Sequence, residues 1–253
     1  MKIIKSIILV SLLMSVISES LAEKLSAPIR SAIKHSERSE ADRARDTGRK
    51  PGLVLQFSGI EPGQTVLDLF SGGGYYTEIL SHYVGGDGRV VAHNNKTYQS
   101  YLADQLKARY QNGRLVNVEQ LVQEANDLDL GAEAADVAFL VLSYHDIYYV
   151  DESWPVTDRD TFLANIHRAL KPGGLLLVID HRARSGAPPE SGNTLHRIDP
   201  VLVKNDLERA GFVFERETGF LANPSDSLKL SVFDPAIKGK TDRFVQLYRK
   251  PSM

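Results

Sequence analysis

The chain has 253 residues, of which 42% are hydrophobic and 25% are charged, and its formal net charge is -2. This length and composition predict one substantial hydrophobic core, and the small net charge gives no indication of a nucleic-acid-binding surface. The sequence contains no cysteine, which excludes disulfides, a thiolate nucleophile and cysteine-ligated zinc.

The N-terminus has the pattern of an export signal. Lys2 and Lys5 precede an apolar run from Ile7 to Ile17, and small residues lead up to Ala22. We therefore expect a signal peptide over residues 1–22, cleaved after Ala22, and a periplasmic or secreted protein without a stable membrane span. The alternative is an uncleaved anchor, but the apolar run is shorter than the roughly 20 residues that cross a bilayer.

Residues 23–58 are polar and dense in charge, and they are expected to form an N-terminal helical cap. One or two helices are predicted there, ended by Gly48 and Pro51. The turn Glu61-Pro62-Gly63 then leads into an α/β domain, predicted over residues 59–253.

From residue 65 onward, apolar runs of strand length alternate with amphipathic runs of helical spacing. Strands are predicted at 66–68, 89–92, 115–118, 137–142, 175–179, 212–215 and 244–248. Helices are predicted between them, one of them with a Thr157–Asp160 capping box and a stop at Pro172. This alternation predicts a doubly wound α/β fold with a mostly parallel, seven-stranded sheet, whose ligands bind at the carboxyl ends of the strands.

The glycine-rich turn after the first strand is the strongest functional indication. Asp68 is followed by Gly72, Gly73 and Gly74 and then by the start of a helix. A strand-to-helix turn of this kind lets backbone N–H groups and a helix N-terminus face a bound nucleotide. Glycine permits the close approach of backbone to ligand that a Cβ would prevent.

Together with three further segments, this turn resembles the class I S-adenosylmethionine-dependent methyltransferases, and among them an exported bacterial branch. The matching segments are the turn at 68–74, the strand and its sequel at 136–146, the Lys-Pro-Gly-Gly at 171–174 and the strand at 175–180. The resemblance covers about residues 60–250. It implies a Rossmann-like fold, S-adenosyl-L-methionine as cofactor, and methyl transfer to a small-molecule acceptor that remains unidentified.

The resemblance also implies a set of cofactor-binding residues. They are Asp68, Gly72, Gly73, Gly74, Asn94, Asp127 and Ser143. Asp68 and the glycines line the methionine end, Asn94 lies where the family usually has an acid for the ribose, and Asp127 is the candidate for adenine. Phe70 replaces the first loop glycine of the family, and an amide at Asn94 loses a charge-assisted bond, so weakened cofactor binding is expected.

Two acid–histidine pairs follow adjacent predicted strands, His145 with Asp146 and Asp180 with His181. The catalytic hypothesis is a general base, His145 or His181, oriented by a carboxylate such as that of Asp146. The alternative is structural, with Asp146 as a cap and the histidines holding loop backbone. A divalent cation on Asp146 and Asp180 is a further alternative, but no metal is predicted, since two acids are few ligands.

Other polar and aromatic residues carry weaker hypotheses. Tyr144 is expected to form a pocket wall, and Trp154 to shape the acceptor site. Four basic residues of the cap could bind the cofactor carboxylate or an acidic substrate, although solvated side chains are the commoner outcome. They are Arg43, Arg45, Arg49 and Lys50.

Two other functions stay open at this point. The first is a non-catalytic nucleotide-binding or sensing domain, which the weakened turn would suit. The second is a nicotinamide-dependent oxidoreductase, whose fingerprint requires a third glycine where this chain has Thr77.

Overall fold

The computed structural model describes residues 25–252, and within them seven strands form a single sheet. The strands are β1 (Thr65–Leu69), β2 (Arg89–Asn94), β3 (Val118–Val122), β4 (Ala135–Val141), β5 (Leu170–His181), β6 (Val213–Thr218) and β7 (Arg243–Arg249). Their order is β3-β2-β1-β4-β5-β7-β6, and β7 is antiparallel to both of its neighbours. This confirms the predicted doubly wound, mostly parallel, seven-stranded α/β fold.

Helices flank the sheet, and their apolar faces cover it. They are α1 (Ala27–Ile33), α2 (Glu40–Arg49), α3 (Pro51–Ser58), α4 (Tyr75–Val84), α5 (Lys96–Tyr101), α6 (Ala103–Tyr110), α7 (Arg159–Ala169), α8 (Ser191–Leu195) and α9 (Pro200–Arg209). Side chains alternate along each strand, so Val66 enters one core cluster and Leu67 enters the other. Among residues 25–252, no helix combines the length and apolarity needed to cross a membrane.

Several predicted boundaries are wrong. β3 begins at Val118 rather than ending there, and β5 begins at Leu170, so the Lys-Pro-Gly-Gly segment lies inside a strand. β5 begins at Leu170 because Leu170 pairs with Ala135 of β4 across a register shift, and the Gly173 N–H also donates to the Lys250 carbonyl at 2.9 Å. The cap of α7 is Asp158, whose carboxylate accepts two backbone N–H groups, instead of the predicted box.

The N-terminal segment contains three helices rather than one or two. Gly48 lies inside α2, and Pro51 begins α3, because proline at the first helical position lacks only an N–H that would have no partner. Lys50 makes the corner between these helices with a φ of 46°. The predicted signal peptide at 1–22 lies outside the described residues.

Candidate functional site

The turn after β1 is held to the end of β2 by one side chain. Gly72 and Gly74 have φ angles of 57° and 78°, which glycine adopts without strain. The Gly72 N–H donates to Asn94 Oδ1 at 2.9 Å, and the Asn94 amide donates back to the Gly72 carbonyl at 3.0 Å. Asn94 therefore shapes the turn, and its amide keeps one N–H and one lone pair for a ligand such as a ribose.

Asp68 lies beneath the turn rather than within it. Its carboxylate is 2% exposed and accepts a hydrogen bond of 2.6 Å from the Thr77 hydroxyl. Burial raises the pKa of Asp68 to about 7, against the opposing effect of Thr77. Asp68 thus ties β1 to α4, and the structure does not expose it along a methionine-binding surface.

The outer side of the turn is covered by α6. Arg109 Nε donates to the Gly73 carbonyl at 3.0 Å, and the same guanidinium lies 2.6 Å from an Asp42 oxygen on α2. A Cβ at position 73 would lie 2.5 Å from the side chain of Gln105. Gly73 therefore lets α6 close over the turn, and it contributes backbone rather than side chain to the site.

Phe70, which stands in place of a glycine, packs inward. Its φ is 47°, and its ring is buried among an aromatic group whose ring centroids lie 5.1 to 6.1 Å away. That group is His93, Tyr98, Trp154 and Phe162. This packing offsets the backbone strain. Trp154 is thus core packing for Phe70, whereas the sequence placed it in the acceptor site.

His145 lies between two carboxylates. Its Nδ1 is 2.8 Å from Asp180 Oδ1, its backbone N–H donates to Asp180 Oδ2 at 2.8 Å, and its Nε2 is 3.3 Å from Asp146 Oδ1. Burial alone would lower the pKa of His145, but Asp180 and Asp146 outweigh it and raise the pKa to about 9. A ring that is protonated at neutral pH cannot accept a proton, which argues against the predicted role of His145 as a base.

Asp146 completes this buried ionic group. Its second oxygen accepts a hydrogen bond of 2.8 Å from the Tyr98 hydroxyl on α5, and burial raises its pKa. Both oxygens of Asp180 accept hydrogen bonds from His145. A cation held by Asp146 and Asp180 would need those oxygens as ligands, so this arrangement argues against the hypothesised cation site. The group therefore joins the loop after β4 to the end of β5 and to α5.

Two sets of described residues bring three possible metal ligands within 4.8 Å of one another. They are His145, Asp146 and His196, and His35, Glu37 and His82. Neither set could be found from sequence spacing, because loops distant in the chain bring its members together. In the first set, ion pairing of His145 with its flanking carboxylates accounts for the arrangement.

A cavity of about 450 Å³ opens at the carboxyl ends of β4 and β5. It is lined by Ala44, Arg45, Gly48, Arg49, Leu142, His181, Val232, Phe233, Lys238, Gly239, Thr241 and Arg243. The Nδ1 of half-buried His181 lies 2.7 Å from the Thr241 hydroxyl, so Nε2 is the nitrogen that remains to accept a proton. Burial, followed by the positive charges of His145 and Arg243, lowers the pKa of His181 well below its usual range. Of the two histidines, His181 is therefore the neutral one and the one that can accept a proton.

The remaining predicted residues fall in different surroundings. Asp127 is exposed in a short 3-10 turn after β3. Tyr144 is fully buried, and its hydroxyl donates to Asp206 on α9 at 3.1 Å, so it anchors the core instead of forming a pocket wall. Of the basic residues in the cap, Arg45 and Arg49 line the cavity, whereas Lys50 donates to the Phe220 carbonyl.

Sequence reasoning missed Arg243 and Thr241. Arg243 lies directly opposite His181 in the antiparallel pair of β5 and β7, and Thr241 precedes it by two residues. An arginine at the start of an apolar strand was the one available signal. It carried no information until the register of β7 against β5 was known.

Comparison with known proteins adds to this geometry. Residues 67–178 match a family model described as a methyltransferase domain, and they run from β1 through the glycine turn into β5. This part of the chain is therefore similar to a methyltransferase domain. The match agrees with the methyltransferase resemblance found in the sequence, and the exported branch of that family stays a prediction.

The chain is also similar to curated proteins and to solved structures. Ubiquinone/menaquinone biosynthesis C-methyltransferase UbiE of Vibrio campbellii is 35% identical over 129 residues, which are 51% of this chain and 45% of that protein. UbiE of Legionella pneumophila is 33% identical over 130 residues, 50% and 46% of the two chains. The chain thus spans about half the length of the curated relatives it matches. A SAM dependent methyltransferase from Aquifex aeolicus shares the fold, with a TM-score of 0.58, 23% identity, and coverage of 89% and 99%.

Two buried hydroxyls within residues 67–178 are available to a ligand. Ser71 Oγ, in the glycine turn, and Ser143 Oγ, directly after β4, are buried without a hydrogen-bond partner among the described residues. Buried polar atoms are normally paired, so these two are groups that a ligand can satisfy. They follow neighbouring strands β1 and β4, where a ligand of this fold binds.

Proposed function

We propose that this chain is an S-adenosylmethionine-dependent methyltransferase that acts on a small-molecule acceptor. The match of residues 67–178 to a methyltransferase domain carries the proposal. Three features at the carboxyl ends of β1, β2 and β4 support it. They are the glycine turn, the unused N–H and lone pair of the Asn94 amide, and the unpartnered hydroxyls of Ser71 and Ser143. Asp68, Asp127 and Gly73 stay predictions as cofactor contacts.

The bound cofactor supplies an electrophilic methyl group on a sulfonium sulfur. The residues of this chain align the acceptor with that methyl group, and such positioning contributes on the order of 7–11 kcal/mol in well-oriented reactions. The acceptor lies in the cavity beside His181, and the free Nε2 takes its proton, which contributes roughly 10²–10⁴-fold. The charged His145, held by Asp146 and Asp180, keeps the loop after β4 in place beside the cavity.

The buried ring of Phe70 favours one alternative function. Because Phe70 replaces a glycine in the turn and adopts a φ of 47°, a domain that binds the cofactor without turnover is the second candidate. It differs from the first by a single outcome, which is binding of cofactor without methylation of any acceptor.

A calorimetric titration of the full chain tests the proposal. S-adenosylmethionine and S-adenosylhomocysteine are expected to bind, and a nicotinamide cofactor is not. Gly72→Ala is expected to abolish binding, and Gly63→Ala is the matched control. Both glycines have positive φ, but only Gly72 lies in the glycine turn after β1. Absence of binding, or binding of the nicotinamide cofactor alone, contradicts the proposal. Release of S-adenosylhomocysteine over a metabolite library separates the enzyme from the binding domain.

We also propose that the protein is exported. The basic residues Lys2 and Lys5 and the apolar run at 7–17 support cleavage after Ala22. Intact-mass measurement of the protein from separated cell fractions is expected to find a chain beginning at residue 23 outside the cytoplasm. A chain that retains residues 1–22 in the cytoplasmic fraction contradicts export.

A further inference from the structure

One buried arginine of the described chain lacks an acidic partner. Arg38, Arg197 and Arg243 are exposed by 1%, 0% and 7%. Arg38 binds Asp46 through two hydrogen bonds of 2.8 and 2.7 Å, and Arg197 binds Asp226 at 2.9 and 3.2 Å. Arg243 makes no ion pair within residues 25–252, and its Nε reaches only the Thr241 carbonyl at 3.4 Å.

The environment of Arg243 makes its charge more costly still. Burial, and then the nearby guanidinium of Arg49, lowers the pKa of Arg243. A buried charge without a partner is strongly destabilising, and a second positive charge beside it adds repulsion. Both side chains border the cavity, and an anion that binds there offsets this cost.

Both arginines belong to the cavity beside His181. Arg49 stacks its guanidinium 4.6 Å from the ring centroid of Tyr75, and it has no carboxylate partner among the described residues. Lys238 also lines the cavity, and none of its described lining residues is acidic. An arginine fork binds carboxylate and phosphate oxygens with two parallel hydrogen bonds, which a single lysine cannot do.

The rest of the cavity is apolar. Leu142, Val232 and Phe233 contribute walls, and Phe233 is exposed by 59%. A volume of about 450 Å³ lies within the range that binds small organic molecules. The cavity thus combines an anion-binding end with an apolar side, and His181 lies opposite Arg243 on the neighbouring strand.

We propose that the methyl acceptor carries an anionic group, a carboxylate or a phosphate, which Arg243 and Arg49 bind. The apolar body of the acceptor lies against Leu142 and Phe233, and its reacting atom lies near His181. This inference rests on the proposed methyl transfer and adds the chemical class of the acceptor to it. A carboxylate of the cofactor itself is the competing source of the same chemistry.

The experiment uses benzoate and phenyl phosphate as probes and benzamide as their neutral counterpart. Each is titrated by calorimetry into the full chain that is already saturated with S-adenosylhomocysteine, and again without it. At least one anion is expected to bind roughly tenfold or more tightly than benzamide, because the charge-assisted bonds are lost in the neutral probe.

Three variants assign the binding to the cavity. Arg243→Met and Arg49→Met are expected to weaken the anion about tenfold or more, while Arg216→Met leaves it unchanged. Arg216 is the matched control, since it is an exposed arginine on β6 whose guanidinium lies over the Phe57 ring. Arg243→Met is also expected to melt no lower than the unmodified protein, because it removes an unpaired buried charge. Loss of anion binding therefore does not reflect loss of folding.

The outcomes separate this inference from the proposed function. Equal binding of benzoate and benzamide overturns the inference, and so does anion binding that S-adenosylhomocysteine abolishes, because the arginines then serve the cofactor carboxylate. Anion binding unaffected by Arg243→Met also overturns it. Failure of S-adenosylhomocysteine to bind contradicts the methyltransferase proposal itself, whatever the anions do.

Discussion

Replacing Asp180 with Asn removes one of the two carboxylates that hold His145. Asp180 is 0% exposed and accepts both the backbone N–H and the Nδ1–H of His145. An amide oxygen can still accept from the backbone, but it carries no charge to oppose that of the imidazolium. The variant therefore tests the ionic contribution with little change of shape.

The magnitude follows from the pKa of His145, which is about 9 in the folded protein and 6.5 in the reference state. That difference corresponds to about 3 kcal/mol for Asp180 and Asp146 together, so loss of Asp180 alone is expected to cost up to about 3 kcal/mol. Because the folded pKa is raised, the stabilisation is complete below pH 6.5 and is lost as the pH rises through 9. The difference in free energy of unfolding between Asp180→Asn and the unmodified protein is therefore expected to shrink with increasing pH.

Urea unfolding followed by circular dichroism at about pH 6, 7.5 and 9.5 measures that difference. The control is Asp129→Asn, which removes an exposed carboxylate that pairs with Arg168 at the surface and is expected to change stability by less than about 1 kcal/mol. A loss for Asp180→Asn that is the same at all three pH values would refute the ionic account of His145. Histidine resonances by NMR give the pKa of His145 directly.

Three further substitutions have definite expected outcomes. Phe70→Gly relieves the strain of a φ of 47° but loses a buried ring, so the free energy of unfolding is expected to fall by about 2–4 kcal/mol. S-adenosylhomocysteine is expected to bind more tightly to this variant, and weaker binding contradicts the expectation that Phe70 in place of a glycine weakens cofactor binding. Asp68→Asn is expected to stabilise the protein near pH 8 by up to about 4 kcal/mol and to have little effect near pH 4. The reason is that a carboxyl whose folded pKa is about 7 disfavours folding once it ionises. Thermal unfolding with the same pH dependence in both proteins would rule this out. Asp226→Asn leaves the fully buried Arg197 without its anion and is expected to cost about 3–5 kcal/mol in urea unfolding, and a change under 1 kcal/mol would show that the pair is not needed.

Much of the sheet could be predicted from local sequence. A strand that is buried on both faces must be apolar throughout, and the run within β4 shows this pattern plainly. The glycine turn after β1 was also predictable, since residues with positive φ near a ligand are preferentially glycine. Errors arose where an element depends on its partner. β5 extends back to Leu170 because Leu170 pairs with Ala135 of β4 and Gly173 bonds to the C-terminal segment, and no local property of Pro172 reveals that.

The candidate site was predictable in part only. The pairs at 145–146 and 180–181 were found from their positions after apolar strands, yet their roles were not, because a pKa depends on neighbours brought in by folding. The carboxylate of Asp180 lies against His145, 35 residues away, and this makes His145 a cation and leaves His181 as the neutral ring.

By itself, the sequence determined the alternation of strands and helices, the turn that marks the family, and the edge of the sheet at which a ligand binds. The tertiary structure alone decided what lies around that ligand. β7 lies between β5 and β6 and runs antiparallel to both, which places Arg243 opposite His181. Helix α2, which ends at Arg49 just before the corner at Lys50, brings Arg49 to the same cavity. The physical reason is that backbone propensity and apolar periodicity are local, whereas strand order, register and the charge around a buried group come from residues far apart in the chain.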